Sequence, residues 1–183
     1  MKQAIRWIPA VDWPLRLLIG IGLGVAFLYA GVQKYLAPDE FAEAILAYQL
    51  LPEALVGLSA AFLPWLELAV GGILVFGYLA ETGQRLASGL GLGSGSGQTV
   101  GMLRRSALLL IMVQLLLFIV VLLITMARGL KIDCGCGLFS ERQVGWAAVL
   151  EDFLLFGATA WVYWREGLTG QEKGVTMHRS AQM

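Results

Sequence analysis

Four long apolar runs, at about residues 15–37, 53–79, 105–127 and 144–164, alternate with polar or glycine-rich stretches along the chain. Each is close to or above the roughly 20 residues that a helix needs to cross a hydrocarbon layer about 30 Å thick. Between the first two, Phe41, Ala44, Ile45, Tyr48 and Leu51 recur at helical spacing while Asp39, Glu40 and Glu43 make a polar side. That segment is too short to span, and it predicts a helix lying along the membrane surface or folded in as a lid. Residues 1–14 read as an interfacial lead-in, with Trp7 and Trp13 at the headgroups and Pro9 and Pro14 stopping a continuous helix before the span. Residues 81–103 carry alternating glycine and serine and predict a flexible linker. The expected architecture is an all-α membrane protein: a four-transmembrane-helix bundle in one domain, residues 1–165, with the amphipathic segment between helices 1 and 2. A polar tail, residues 166–183, follows.

Composition agrees with the pattern. Hydrophobic residues make up 58% and charged residues 14% of the 183, a balance that excludes an ordinary soluble domain. Net charge is zero and the basic residues are dispersed, so no nucleic-acid partner is expected; membrane lipid is. Lys2 and Arg6 before an apolar stretch suggest a cleaved signal peptide, but the run after Pro14 is long and no small-x-small site follows it. Four spans place the N-terminus, the linker and the tail on one side. That side carries nine basic residues (Lys2, Arg6, Arg16, Arg85, Arg104, Arg105, Arg165, Lys173 and Arg179) against four on the other (Lys34, Arg128, Lys131 and Arg142). By the positive-inside rule the first side is cytoplasmic and the second periplasmic, or exterior, across a bacterial inner membrane.

Charged groups inside the runs are the candidate chemistry. Lys34 stands one turn before Pro38 and either snorkels to the interface or pairs within the bundle. Glu67, near the middle of the second run, either glues helices or serves proton transfer or a polar head group. Gln114 is the one strongly polar interior residue of the third run, and of the adjacent Glu151 and Asp152 only one can aim squarely at the bundle centre. Gly20 and Gly24, four apart, suit close helix packing.

The two cysteines of the chain, Cys134 and Cys136, share one loop and are separated by Gly135. Their Cα atoms can fall within the roughly 4.4–6.8 Å a disulfide needs, in a small, strained and therefore exchangeable ring. On the periplasmic side such a bridge can persist and find exchange partners. Lys131 and Arg142 would favour thiolate and Asp133 would oppose it. A static clip, two inert thiols and half of a metal site compete with this reading. The last is poorly supported, since only His178 remains as a ligand, and no metal is expected.

Together, Ala30-Gly31-Val32-Gln33-Lys34 with Pro38, Phe41-Ala42, Ala44-Ile45, Tyr48 and Leu50-Leu51-Pro52, then Pro64-Trp65-Leu66-Glu67 with Gly71, then Asp133-Cys134-Gly135-Cys136, resemble the MauE methylamine-utilisation family within the DoxX-like membrane proteins. The resemblance covers most of residues 15–160; Gly137-Leu138-Phe139 stands where that family commonly has Phe-Gly. It implies a four-helix inner-membrane protein that supports disulfide formation in methylamine dehydrogenase, working with a periplasmic thioredoxin-like partner. Cys134 and Cys136 would then be the catalytic residues of a membrane thiol-disulfide oxidoreductase component. Lys34, Glu67 and Asp152 would build a polar pocket among the helices, with a quinone as its candidate cofactor. The other outcome is a non-enzymatic assembly or scaffold subunit whose Cys-Gly-Cys loop is a structural clip. A transporter would call for internal repeats, and none stands out.

Overall fold

A computed structural model describes the backbone of residues 8–90, 97–130, 132 and 144–180, with side chains for residues 12–90, 99–130, 132 and 144–167. The described residues form five helices: α1 (Ile8–Leu36), α2 (Pro38–Ala47), α3 (Glu53–Gly89), α4 (Gly97–Ala127) and α5 (Trp146–Ser180). Three of them, over Asp12–Leu36, Glu53–Gly89 and Thr99–Ala127, are long and apolar enough to cross a membrane, so the chain is a multi-pass membrane protein in contact with lipid. Among the described residues α5 does not meet that measure, with Glu151 and Asp152 together near its start.

Successive long helices run antiparallel. Lys34 near the end of α1 faces Glu67 of α3, while Asp12 near its start meets Arg165 of α5. The buried core joins Leu23 and Phe27 of α1, Val70, Leu74 and Tyr78 of α3, Leu108, Ile111 and Leu115 of α4, and Val162 of α5. Large apolar side chains such as Leu18, Phe62, Phe76, Leu117 and Leu154 point outward, where lipid rather than water is their solvent. α1 and α3 approach closely through glycine. A Cβ on Gly71 would stand 2.7 Å from the Gly24 carbonyl oxygen, and one on Gly20 would strike the Tyr78 ring. This small-residue contact takes up the predicted Gly20 and Gly24 spacing and sets Lys34 opposite Glu67.

Several boundaries differ from the sequence expectation, each with a local cause. Pro14 lies inside α1 rather than before it: the helix starts at Ile8, and Asp12 is tied to Arg165 at 2.8 Å. The expected linker of residues 81–103 is helical at both ends, α3 reaching Gly89 and α4 starting at Gly97. In the first of these stretches the Thr82 hydroxyl donates to the Tyr78 carbonyl, and Glu81 accepts from Arg85 one turn on and from Arg104 of α4. The expected tail is also helical through Ser180, and Glu166 at its start is buried.

The end of the bundle beyond Lys34 is closed by α2 and its turns. Phe41 is buried beneath α2, which folds in against α3 as the lid alternative anticipated. Gln49 takes a left-handed backbone, and the Arg128 guanidinium donates to the Tyr48 and Gln49 carbonyls at 3.1 and 3.2 Å, tying this turn to the end of α4. Gly129, with φ +68°, ends α4: its N–H donates to the Met126 carbonyl and that of Leu130 to the Thr125 carbonyl, the paired bonds of a Schellman cap. Beyond it, the Val144 N–H donates to the Ile132 carbonyl at 2.8 Å. Cys134 and Cys136, with Lys131, Asp133 and Arg142, lie outside the described residues.

Candidate functional site

Four helices and one lid converge on a buried polar centre. Lys34 and Glu67, 4% and 2% exposed, form an ion pair with Nζ to Oε1 at 2.5 Å. The Gln114 amide of α4 donates to the same oxygen at 2.8 Å, so one carboxylate joins α1, α3 and α4. The ammonium also sits 5.3 and 5.6 Å from the ring centroids of Phe41 and Phe118, whose faces carry negative potential. This settles the alternatives for Lys34 in favour of pairing within the bundle. Glu67 Oε2 and Gln114 Oε1 are buried and have no partner among the described residues.

Beside this pair is a cavity of about 50 Å³, walled by Lys34, Glu67, Gln114 and Phe118 and, from α5, by Ala148, Glu151 and Asp152. Both adjacent acids of α5 line it, although the 100° between them predicts that only one aims squarely at the bundle centre. At its outer side a second apolar cluster holds Tyr48, Leu122, Ala148 and Val149, with Ile132 and Val144 packed against it. The two residues that bracket residues 133–143 therefore pack on a cluster that shares Ala148 with the wall of the polar cavity. Tyr48 lies outside the spans, and burial followed by the charge of Asp152 pushes its phenol up to about 12, so it stays neutral at ordinary pH.

A quinone head group does not fit this cavity. Pockets for organic ligands typically measure 300–1,000 Å³, whereas about 50 Å³ holds a few water molecules. A larger hollow of about 220 Å³ lies on the α3–α4 face against Phe62, Leu66, Leu110, Val113 and Leu117. It is apolar except at Gln114, and Gln114 and Phe118 separate it from the polar cavity. Among the described residues no group of acidic, histidine or cysteine side chains could hold a metal ion.

A second polar layer sits about 21 Å along α3 from the first, the rise of the 14 residues between Glu67 and Glu81. Arg104 of α4 pairs there with Glu81 and, at 3.3 Å, with Glu166 of α5; its guanidinium stacks 4.5 Å from the Tyr78 ring centroid, and the Tyr78 hydroxyl donates to Glu166 at 2.8 Å. Arg16 is buried as well. Sequence reasoning placed Arg16 and Arg104 among the basic residues of one membrane face and Glu166 in the tail, and so missed this network. The clue was Tyr78, a polar ring one turn before Glu81 and opposite Gly20.

Of the residues singled out in the sequence, Lys34, Glu67 and Asp152 are brought together, while Cys134 and Cys136 are not described. No curated protein and no solved structure matches the chain. A family model described as "Methylamine utilisation protein MauE" matches residues 11–165. With that match running through all four long helices and the polar centre, the chain belongs to the MauE family, a family of methylamine utilisation.

Proposed function

We propose that this protein is a bacterial inner-membrane component of thiol-disulfide exchange, with Cys134 and Cys136 as the reacting pair on the periplasmic side and a thioredoxin-like protein as partner. One observation carries the placement: Ile132 and Val144, hydrogen-bonded at 2.8 Å, pin both ends of the cysteine-bearing segment to the bundle end that holds the Lys34–Glu67 cavity. That end has the fewer basic residues, four against nine, which favours the periplasmic side. α5 supplies the fourth crossing in this account, because Asp152 lies in one polar layer and Glu166 in the other, as Glu67 and Glu81 do on α3.

The electron balance is that of exchange. A thiolate of one cysteine attacks the partner's disulfide, a mixed disulfide forms, and the second cysteine displaces the partner as a dithiol. Two electrons and two protons pass to the partner, and no further oxidant is consumed. In the reverse direction the Cys134–Cys136 disulfide oxidises the partner's dithiol and is itself reduced. Methylamine dehydrogenase maturation, the activity that the family resemblance suggests, is the destination of such disulfides.

The test is trapping. A Cys136→Ser or Cys134→Ser variant is expected to accumulate a mixed disulfide with a periplasmic protein, resolved by reductant on a non-reducing gel. Unchanged disulfide maturation in the double serine variant contradicts the proposal. A scaffold role is favoured by one observation, the joining of three helices through a single Glu67 oxygen, which is what a structural pin does. It predicts a bridge with a reduction potential below about −300 mV, one that never opens in the cell.

A further inference from the structure

The polar cavity has more acid than base. Lys34 is committed to Glu67 at 2.5 Å, yet Asp152 and Glu151 of α5 line the same space. Asp152 is half-buried and makes no hydrogen bond or ion pair among the described residues. Across the cavity, Glu67 Oε2 and Gln114 Oε1 are acceptors without donors, on side chains that are each more than nine-tenths buried. Three acceptors around a space for a few waters call for hydrogen-bond donors, and a carboxyl group that holds its proton supplies one. The groups facing Asp152 are Lys34 from α1, Tyr48 from the turn after α2, Glu67 from α3, Gln114 from α4 and Glu151 beside it. Tyr48 is a neutral phenol, and the Arg128 guanidinium is engaged by the Tyr48 and Gln49 carbonyls.

We infer that this cavity is a proton-binding site, in which Asp152 holds an exchangeable proton and donates it in a hydrogen bond, directly or through a water, toward the free oxygen of Glu67. Lys34 keeps Glu67 ionised through its contact with Oε1 and leaves Oε2 as the accepting atom. The site is an O–H donor set toward an oxygen acceptor, so no bond to carbon or sulfur changes and no electron moves. Ile132 and Val144 pack on the cluster that shares Ala148 with this cavity, and the thiol chemistry proposed for the segment between them releases protons on oxidation. The proton site itself does not depend on that chemistry.

A hydrophobic carbodiimide tests it, because the reagent condenses only with a protonated carboxyl group in an apolar setting. The full-length protein in lipid nanodiscs is treated with dicyclohexylcarbodiimide across a series of pH values, and adducts are located by peptide mass spectrometry. An N-acylurea adduct is expected on Asp152, with a yield that falls about tenfold per pH unit above its midpoint. It is expected to be lost in Asp152→Asn and retained in the Cys134→Ser/Cys136→Ser double variant, which separates this inference from the exchange proposal. No adduct on Asp152 at any pH overturns it. So does full protection by sodium at constant pH and ionic strength, which makes the site one for a metal cation. Infrared difference spectra provide a second readout should Asp152→Asn fold poorly: the wild-type protein is expected to lose a protonated-carboxyl band as pH rises, and a featureless difference contradicts the inference.

Discussion

Lys34→Met is expected to destabilise the folded protein by about 3–5 kcal/mol, with Glu67→Leu close behind, while the double variant recovers most of the loss. Each single change leaves one charge of a buried pair without its counter-ion, and an uncompensated buried charge costs several kcal/mol. Lys34 and Glu67 are 4% and 2% exposed, so bulk water cannot solvate the survivor and only the few waters of the cavity can reach it. Gln114 supplies only one neutral hydrogen bond to Glu67, and the two aromatic rings near Lys34 only a weak attraction. Replacing both charges by apolar groups removes the burial penalty together with the attraction, which is why such replacements are often near neutral. Unfolding by denaturant in micelles, run as a double-mutant cycle, measures the coupling. A loss below about 1 kcal/mol in either single variant contradicts the buried-pair account. Exchange activity of the stable double variant then shows whether the pair does more than hold helices.

The second large effect belongs to the α1–α3 contact. Gly71→Ala is expected to cost about 1–3 kcal/mol, because its Cβ would meet the Gly24 carbonyl oxygen at 2.7 Å and the Leu28 backbone nitrogen at 2.9 Å, neither of which can swing aside. Its neighbour provides the control. A Cβ on Gly72 meets nothing within 4 Å, so Gly72→Ala is expected to be neutral or to stabilise by up to about 1 kcal/mol through helix propensity. Thermal unfolding of the two variants side by side should show opposite signs. Equal effects would mean that Gly71 does not mark a close backbone crossing. Gly71 is one turn from Glu67, so Gly71→Ala is also expected to loosen the Lys34 pair.

How far the sequence revealed this arrangement follows from what each residue signals by itself. Lys34, Glu67 and Asp152 were visible because a charge in an apolar run is costly anywhere and must find a partner. Their mutual distance was not visible, since it depends on the depth at which α1, α3 and α5 cross, and Gly71 against Gly24 fixes that for the first two. Gln114 was noticed as a polar residue but not assigned to the site, because an amide is tolerated in a span for many reasons. Phe41 and Phe118 look like ordinary core residues until the lid is folded in. The network of Arg104, Tyr78, Glu81 and Glu166 was hidden by its place at the ends of the apolar runs, where charged residues are normally solvated. The same assumption turned residues 81–89 into linker, though Glu81 and Arg85 on one helical face are a standard i,i+4 pair. The all-helical, membrane-embedded character was legible throughout, because it rests on run length and composition alone.

Labelling in intact cells tests the central claim most directly. A membrane-impermeant maleimide is applied to cells expressing the full chain, before and after mild reduction, and Cys134 and Cys136 are scored by mass spectrometry. Little label before reduction and strong label on both cysteines after it is the predicted result, placing an openable pair on the outer face. Label that appears only once the membrane is permeabilised contradicts the account.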